Sequence, residues 1–472
     1  MSSATSLRPP QLLVELRAKL GDDAILTRSE DCLPYGKDWT NFTTPRPWAV
    51  ALPRTTEEVA TILRLCSEAG VPVVPSGGRT GLSGGAVAAN DELVLSLNRM
   101  NRIDTPNTLT QTVRVQAGAI NQSVQDACLP AGLFWPVELG SKGSCAVGGN
   151  IATNAGGVRV IRYGHTRSWV LSIQVVLMSG EILELSGDLV KNNTGYDLRQ
   201  LFIGSEGTLG VITEATLKLT EPPAAKETLL FALEGMPSVL ALLRSAREQN
   251  FPLLAFECFT HGCLKSVMAH RNVPSPLGSE GVFYVLMDVE KTRTEVSERL
   301  ETWLEKLFAE KKVLDGTLAQ GPAEMRKLWE FREGITESLA ARGLVYKNDL
   351  ALPIMALSRF ASELIEIAPR IYPGCDVFFF GHIGDGNLHV NVLKPASMDP
   401  KEFLALCEHA NDPLFTIIQR ERGSIAAEHG IGILKKAFLS YNRTPSEMNA
   451  FRAIKRAFDP RGLLNPGKIF DL

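Results

Sequence analysis

Between Gly381 and Asn391 the chain reads Gly-His-Ile-Gly-Asp-Gly-Asn-Leu-His-Val-Asn, and its two histidines are spaced for metal chemistry. Phe378 to Phe380 is an aromatic run of strand type, Asp385-Gly386 is a type I′ turn signal, and Leu388 to Leu393 resumes an alternating strand. A tight hairpin of this kind sets His382 opposite His389 and puts Asn391, two residues on, on the face of His389. Farther along, Ala426-Ala427-Glu428-His429-Gly430-Ile431-Gly432 adds a carboxylate and a third imidazole. Two histidines and one carboxylate make a Zn2+-like site with open positions, and the same donors suit non-haem iron. The competing structural reading is a pair of hydrogen-bonded core histidines and a turn carrying solvated charges.

A second polar group lies in Leu328-Trp329-Glu330-Phe331-Arg332-Glu333-Gly334-Ile335-Thr336-Glu337-Ser338-Leu339. Leu328, Phe331, Ile335 and Leu339 form a helical apolar stripe, and Arg332 and Thr336, four apart, share the adjacent face. Lys347 follows in the strand-like Leu344-Val345-Tyr346-Lys347. An arginine fork backed by a lysine and a threonine is what a carboxylate needs, while a solvated helix flank is the plain alternative.

Three glycine-rich segments come earlier. Ser76-Gly77-Gly78-Arg79-Thr80-Gly81-Leu82-Ser83-Gly84-Gly85 follows a strand at once, and its bare N–H groups suit an anion such as a pyrophosphate. The spacing is neither G-x-G-x-x-G nor G-x-x-x-x-G-K-[ST], so Rossmann and P-loop readings both fall. The second segment, Gly140 to Gly157, is almost wholly small, hydroxyl or amide residues. The third, Gly204-Ser205-Glu206-Gly207-Thr208-Leu209-Gly210-Val211-Ile212-Thr213, ends one β run and begins the next. Together they offer the backbone donors and acceptors that a large, polar, planar cofactor requires.

The elements that must hold these groups are mixed. Pro47 to Leu52 is extended, Thr55-Thr56-Glu57-Glu58 opens an amphipathic helix with a capping box, and Gly70 closes it before the strand Val71 to Val74. Residues 93–220 turn to short β runs at 94–97, 112–115, 173–177 and 182–185, with a short helix near 120–131. This is α+β. A boundary is expected at Glu221-Pro222-Pro223, after which strands alternate with longer helices, and a helix from Glu447 to Phe458 ends the chain.

At 472 residues the chain needs two or three domains. With 44% hydrophobic residues, 21% charged residues and net charge −3, it lacks the basic excess of a nucleic-acid binder and the polar bias of a disordered chain. Its eight cysteines form no C-x-x-C pair, which fits reduced thiols in the cytoplasm. Met1 to Pro10 lacks a basic stretch followed by an apolar one, and no apolar run of 18 residues occurs, so neither secretion nor a membrane span is expected.

The three glycine segments, with Lys191-Asn192-Asn193-Thr194-Gly195-Tyr196-Asp197-Leu198, resemble the FAD-binding domain of the vanillyl-alcohol oxidase superfamily, in the branch that oxidises D-2-hydroxy acids. The resemblance runs from about residue 40 through the histidine hairpin to Leu464-Asn465-Pro466. It implies a two-subdomain FAD-binding domain over 1–222, with its core from about 43, an α+β substrate and metal domain with an antiparallel sheet over 223–425, and a segment 426–472 returning to the FAD domain. By it, Ser76, Gly77, Gly78, Arg79, Thr80, Gly81, Leu82 and Ser83 bind the FAD pyrophosphate. Ser141, Gly143, Ser144, Gly148, Gly149, Asn150, Thr153, Asn154, Gly157, Tyr163, Gly164, Glu206, Gly207, Gly210, Ile212 and Asn465 line the rest of the cofactor. Members with covalent flavin carry a histidine in the first loop; Thr80-Gly81-Leu82 has none, so the FAD is expected to be dissociable.

The resemblance further implies His382, His389 and Glu428 as ligands of a divalent metal, expected to be Zn2+, with Asn391 beside the substrate and His429 as general base. Arg332-x-x-x-Thr336 followed by Val345-Tyr346-Lys347 resembles the members that hold a distal carboxylate, as in D-2-hydroxyglutarate and, by extension, D-malate. The rivals are a D-lactate or glycolate dehydrogenase on the same scaffold, a flavin enzyme without net redox like the ether-lipid synthases, and a metal-binding structural protein. With no cysteine cluster for Fe–S and no nicotinamide motif, electrons are expected to pass to a protein such as electron-transfer flavoprotein. Family members are often dimers, and a homodimer is the corresponding expectation.

Overall fold

Cooperation between local signals and burial is plain at residues 49–76 in the computed structural model, which describes residues 9–40, 43–291 and 294–472. The helix Thr56–Ala69 starts where Thr55 accepts from the Glu58 N–H at 3.2 Å and stops at Gly70, whose φ of 68° lies in the left-handed region. It buries Val59, Ile62, Leu63 and Cys66 in the apolar core. Residues 1–8, read above for a leader, lie outside the described residues.

By internal packing the chain divides into two units, one of residues up to 156, 165–222 and 428–472, the other of 157–164 and 223–427. In the first unit, β1 (Ile25–Leu26), β2 (Ala49–Ala51), β3 (Val73–Ser76) and β4 (Leu93–Ser96) form a sheet of order β1-β2-β4-β3, in which β2, β4 and β3 are parallel. A second sheet, order β5-β8-β6-β7, is antiparallel: β5 (Thr112–Gln116), β6 (Val170–Val176), β7 (Ile182–Leu185) and β8 (Val211–Lys218). One apolar core joins residues of both sheets, Leu63, Val73 and Leu95 with Val115, Ile173 and Leu217.

The second unit holds seven strands: β9 (Lys226–Leu233), β10 (Leu253–Thr260), β11 (Phe283–Glu290), β12 (Asp315–Leu318), β13 (Val345–Ala351), β14 (Asp376–Gly381) and β15 (Asn387–Leu393). Their order is β12-β9-β11-β10-β14-β15-β13, all antiparallel. On one face, Phe259, Tyr284, Phe378 and Phe380 pack against Leu264 and Val267 of the helix His261–Arg271 and Leu328, Phe331, Ile335 and Leu339 of two further helices. On the other, Val392 packs with Tyr372, Phe403, Cys407 and Ala410. Residues 157–164, expected with the cofactor domain, belong here: Arg162 pairs with Glu290 at 2.9 Å, and Gly384 has no room for a Cβ because Ile161 covers it.

No described helix is long and apolar enough to cross a membrane. All eight cysteines are free thiols, seven of them buried.

Candidate active site

Antiparallel register decides which side chains of the second unit meet. Phe380 pairs with both Phe259 and His389, His389 with Asp349, and Asn391 with both Lys347 and Phe378. Directly paired residues share a face, and so do residues two apart. Glu257, Phe259, Phe378, Phe380, His389, Asn391, Lys347 and Asp349 therefore line one side of four adjacent strands. That side is apolar beneath the helices and polar toward the turn that joins β14 to β15.

The turn differs from the expected hairpin. A type I′ turn needs positive φ at both central residues, but only Gly386, at 89°, has it, and residues 383–385 form a single 3-10 turn. The connection is five residues long, so His382 lies beyond the ladder and Phe380 stands opposite His389. The two imidazoles still meet, with ring centroids 5.5 Å apart and planes at 84°.

Each ring is backed by a buried carboxylate. Glu257 Oε1 lies 2.7 Å from His382 Nδ1, and Asp349 Oδ1 lies 3.5 Å from His389 Nδ1. Both acids have about 0% exposure, and each faces Nδ1 of its histidine, the kind of outer partner that a metal-bound histidine has. The donor chemistry thus fits a divalent cation. Asp349 also accepts from the Asn387 amide at 2.8 Å and the Ala427 N–H at 3.1 Å. Glu428 and His429 are the next residues after Ala427, and their side chains lie 3.9 Å apart.

Arg332 and Thr336 fall on two successive helices rather than one. The helix Pro322–Glu333 ends at Gly334 and a new one, Ile335–Arg342, begins, leaving Arg332 buried and Thr336 exposed. Arg332 Nη2 pairs with Glu257 Oε2 at 2.8 Å, with no donor among the described residues aligned for a hydrogen bond to that oxygen, and its guanidinium lies 5.0 Å over the Phe380 ring. Lys347 is different: burial holds its pKa below the ordinary lysine value of 10.5, and it has no ion-pair partner among the described residues.

In the first unit the glycine loops press on one another. A Cβ on Gly78 would come 2.3 Å from Ser144 O, and Gly77 lies against Ala146 and Gly149. Arg79, at φ 58°, sits 4.9 Å over the Tyr35 ring without a carboxylate partner among the described residues, its pKa lowered by burial. Asn465, at φ 45°, gives its amide to Gly85 O and Glu206 O, tying two loops to the chain's end. Buried Ser76 Oγ and Asn465 Oδ1 lack hydrogen-bond partners among the described residues. Orphaned polar atoms of this kind, beside a half-buried cation, fit a polar phosphate-bearing cofactor.

Other cofactor candidates have internal roles. Asn150 donates to Asn121 and Cys145, and Thr153 Oγ1 to Gly149 O. Ile212 is core, and bare Gly210 admits Val175 and Phe202. Gly157, Tyr163 and Gly164 belong to the second unit. The carboxylate of Glu206 accepts from the Ile431 and Gly432 N–H groups at 2.7 and 2.8 Å, so it clamps the loop that follows His429. Glu206 is half-buried, and burial raises its pKa. His165, which carried no signal in the sequence, has its pKa lowered by burial while the nearby Glu428 charge opposes that fall. Glu257 and Asp349 carried none either, since each lies on a strand far in sequence from the histidine it supports.

Residues 222–469 match the family described as FAD linked oxidases, C-terminal domain, and residues 47–186 match the FAD binding domain. The chain is 47% identical over 449 residues to a D-2-hydroxyglutarate dehydrogenase of Xanthomonas citri pv. viticola, covering 94% of each protein. It is 42% identical over 461 residues to one from Stutzerimonas stutzeri, covering 98% of this chain and 99% of that one. A Schizosaccharomyces pombe protein named putative D-lactate dehydrogenase is 37% identical, with 94% of this chain and 85% of that one covered. Among solved structures, p-cresol methylhydroxylase superposes with a TM-score of 0.78 at 17% identity, over 99% of this chain and 98% of that one. That likeness establishes the vanillyl-alcohol-oxidase type of fold. With family matches in both parts and relatives of 47% and 42% identity along nearly its whole length, the chain belongs to the FAD-linked oxidases, as an FAD-dependent dehydrogenase of the D-2-hydroxy acid branch.

Proposed function

We propose that the protein oxidises D-2-hydroxyglutarate, and also D-malate, to the 2-oxo acid with non-covalent FAD and a divalent cation, Zn2+ by donor chemistry. The names of its relatives support the substrate. The single observation that carries the reading is Lys347, a half-buried cation with no counter-ion among the described residues, on the sheet face of His389 and Asn391. A distal carboxylate gives that charge its partner; D-lactate has none to offer.

In this reading His382, His389 and Glu428 hold the cation, with Glu257 and Asp349 fixing the two rings. Bound FAD supplies the acceptor for the two electrons leaving C2, and the bound cation supplies Lewis acidity at the substrate hydroxyl and carboxylate. Lys347 binds the distal carboxylate. Arg332 contributes its Nε, which is buried and without a hydrogen-bond partner among the described residues. Thr336, exposed on the following helix, is the third member of the set. Asn391 hydrogen-bonds the bound acid, and His429 takes the hydroxyl proton at its imidazole. Eight free thiols support a cytoplasmic protein, and a separate protein such as electron-transfer flavoprotein takes the electrons. A homodimer is the proposed assembly.

Initial rates with D-2-hydroxyglutarate, D-malate and D-lactate, for the native enzyme and Lys347→Ala, test the substrate. The variant is expected to raise KM for D-2-hydroxyglutarate about 30-fold or more, the equivalent of about 2 kcal/mol for a lost buried charge contact, and to leave D-lactate unchanged. Equal losses on all three acids, or a native preference for D-lactate, would favour the D-lactate enzyme that one relative's name suggests.

A further inference from the structure

We infer that Glu257 is a positioning residue that joins the metal ligand His382 to the substrate cation Arg332, so that one buried carboxylate serves both halves of the site. The inference rests on the metal and distal-carboxylate roles proposed above. Glu257 sits on β10, 125 residues from His382 in sequence, and its side chain is 1% exposed. Its two oxygens are divided: Oε1 lies 2.7 Å from His382 Nδ1, and Oε2 lies 2.8 Å from Arg332 Nη2. Phe380 forms the floor between them, with Arg332 5.0 Å over its ring and the ring of His389, the other histidine, 5.1 Å away.

A guanidinium and an imidazole on one fully buried acid are not explained by packing, because a buried carboxylate is tolerated only while its charge is matched and its oxygens are engaged. The division has a chemical consequence. A carboxylate has an acceptor oxygen for each partner, whereas a carboxamide has only one. In Glu257→Gln that oxygen must face His382 Nδ1–H when Nε2 is committed to a metal, which turns the amide NH2 toward Arg332. The substitution therefore separates the two roles without changing side-chain volume.

The test compares native enzyme, Glu257→Gln and Glu257→Ala, each with its flavin, by Zn2+ titration and by KM for D-2-hydroxyglutarate and D-lactate. Flavin absorbance and thermal midpoint report folding. In Glu257→Gln, the Zn2+ dissociation constant is expected to rise about tenfold, the low end of what losing an outer partner costs. KM for D-2-hydroxyglutarate rises about tenfold or more while that for D-lactate changes less than about twofold, because only the diacid uses Arg332. Glu257→Ala weakens Zn2+ further and loses the same selectivity. Unchanged Zn2+ affinity and an unchanged ratio of the two KM values in Glu257→Gln would overturn the inference, as would equal KM increases for both acids. If the native enzyme does not prefer the diacid, the substrate reading fails by itself, and the Zn2+ titration still decides whether Glu257 supports His382.

Discussion

Lys347 gives the substrate reading a pH signature. Burial holds its pKa below 10.5, so its charge disappears at lower pH than that of an exposed lysine. The charged form binds a carboxylate, and kcat/KM reports the free enzyme. The alkaline fall of kcat/KM for D-2-hydroxyglutarate is therefore expected below pH 10.5 and to vanish in Lys347→Arg, whose side chain stays charged. A D-lactate profile should lack that limb. An identical limb for both acids would remove Lys347 from substrate recognition. At this scale the sequence displays the histidines, Glu428, Arg332 and Lys347 through local motifs, but not Glu257 or Asp349. Their function arises from strand register, and an isolated acid in a strand has no signature of its own.

Among elements, the loop after His429 is the one most exposed to test. Gly430 has φ 79°, and a Cβ there would lie 2.8 Å from Glu206 Oε1; Glu206 in turn holds the Ile431 and Gly432 amides. Glu206→Gln places an NH2 against one of those N–H groups and leaves a buried donor unsatisfied, a loss of about 1–3 kcal/mol. Amide exchange at 431 and 432 should accelerate and kcat should fall, with FAD retained. Loss of FAD with no change in exchange would instead give Glu206 the cofactor role expected from the resemblance. Local periodicity reads the regular elements well: the helix opened by Thr55 and the strand at 182–185 form as expected. It reads poorly where the chain turns. Asp385-Gly386 looks like a two-residue turn, yet the two histidines meet through a five-residue connection, and Gly334 divides what the apolar stripe presents as one helix. At both places the chain is closely packed, Gly384 against Ile161 and Gly334 against Arg271 and Val267, contacts that local periodicity does not register.

For the whole molecule, composition gives a globular chain without a basic excess but says nothing of substrate; that comes from a few polar residues held on otherwise apolar strands. The chain leaves the seven-stranded unit at Ala427, anchored on Asp349, and the next two residues are Glu428 and His429. The central claim is that one chain joins a flavin to a metal site selective for a D-configured diacid. Anaerobic addition of D-2-hydroxyglutarate to the yellow protein tests it most directly, with L-2-hydroxyglutarate and D-lactate as comparisons and a chelator-treated sample alongside. The account predicts rapid bleaching of the flavin by D-2-hydroxyglutarate, much slower bleaching by the other two acids, and none after chelation until Zn2+ is restored. Bleaching that is indifferent to chelation, or equal with D-lactate, would contradict it.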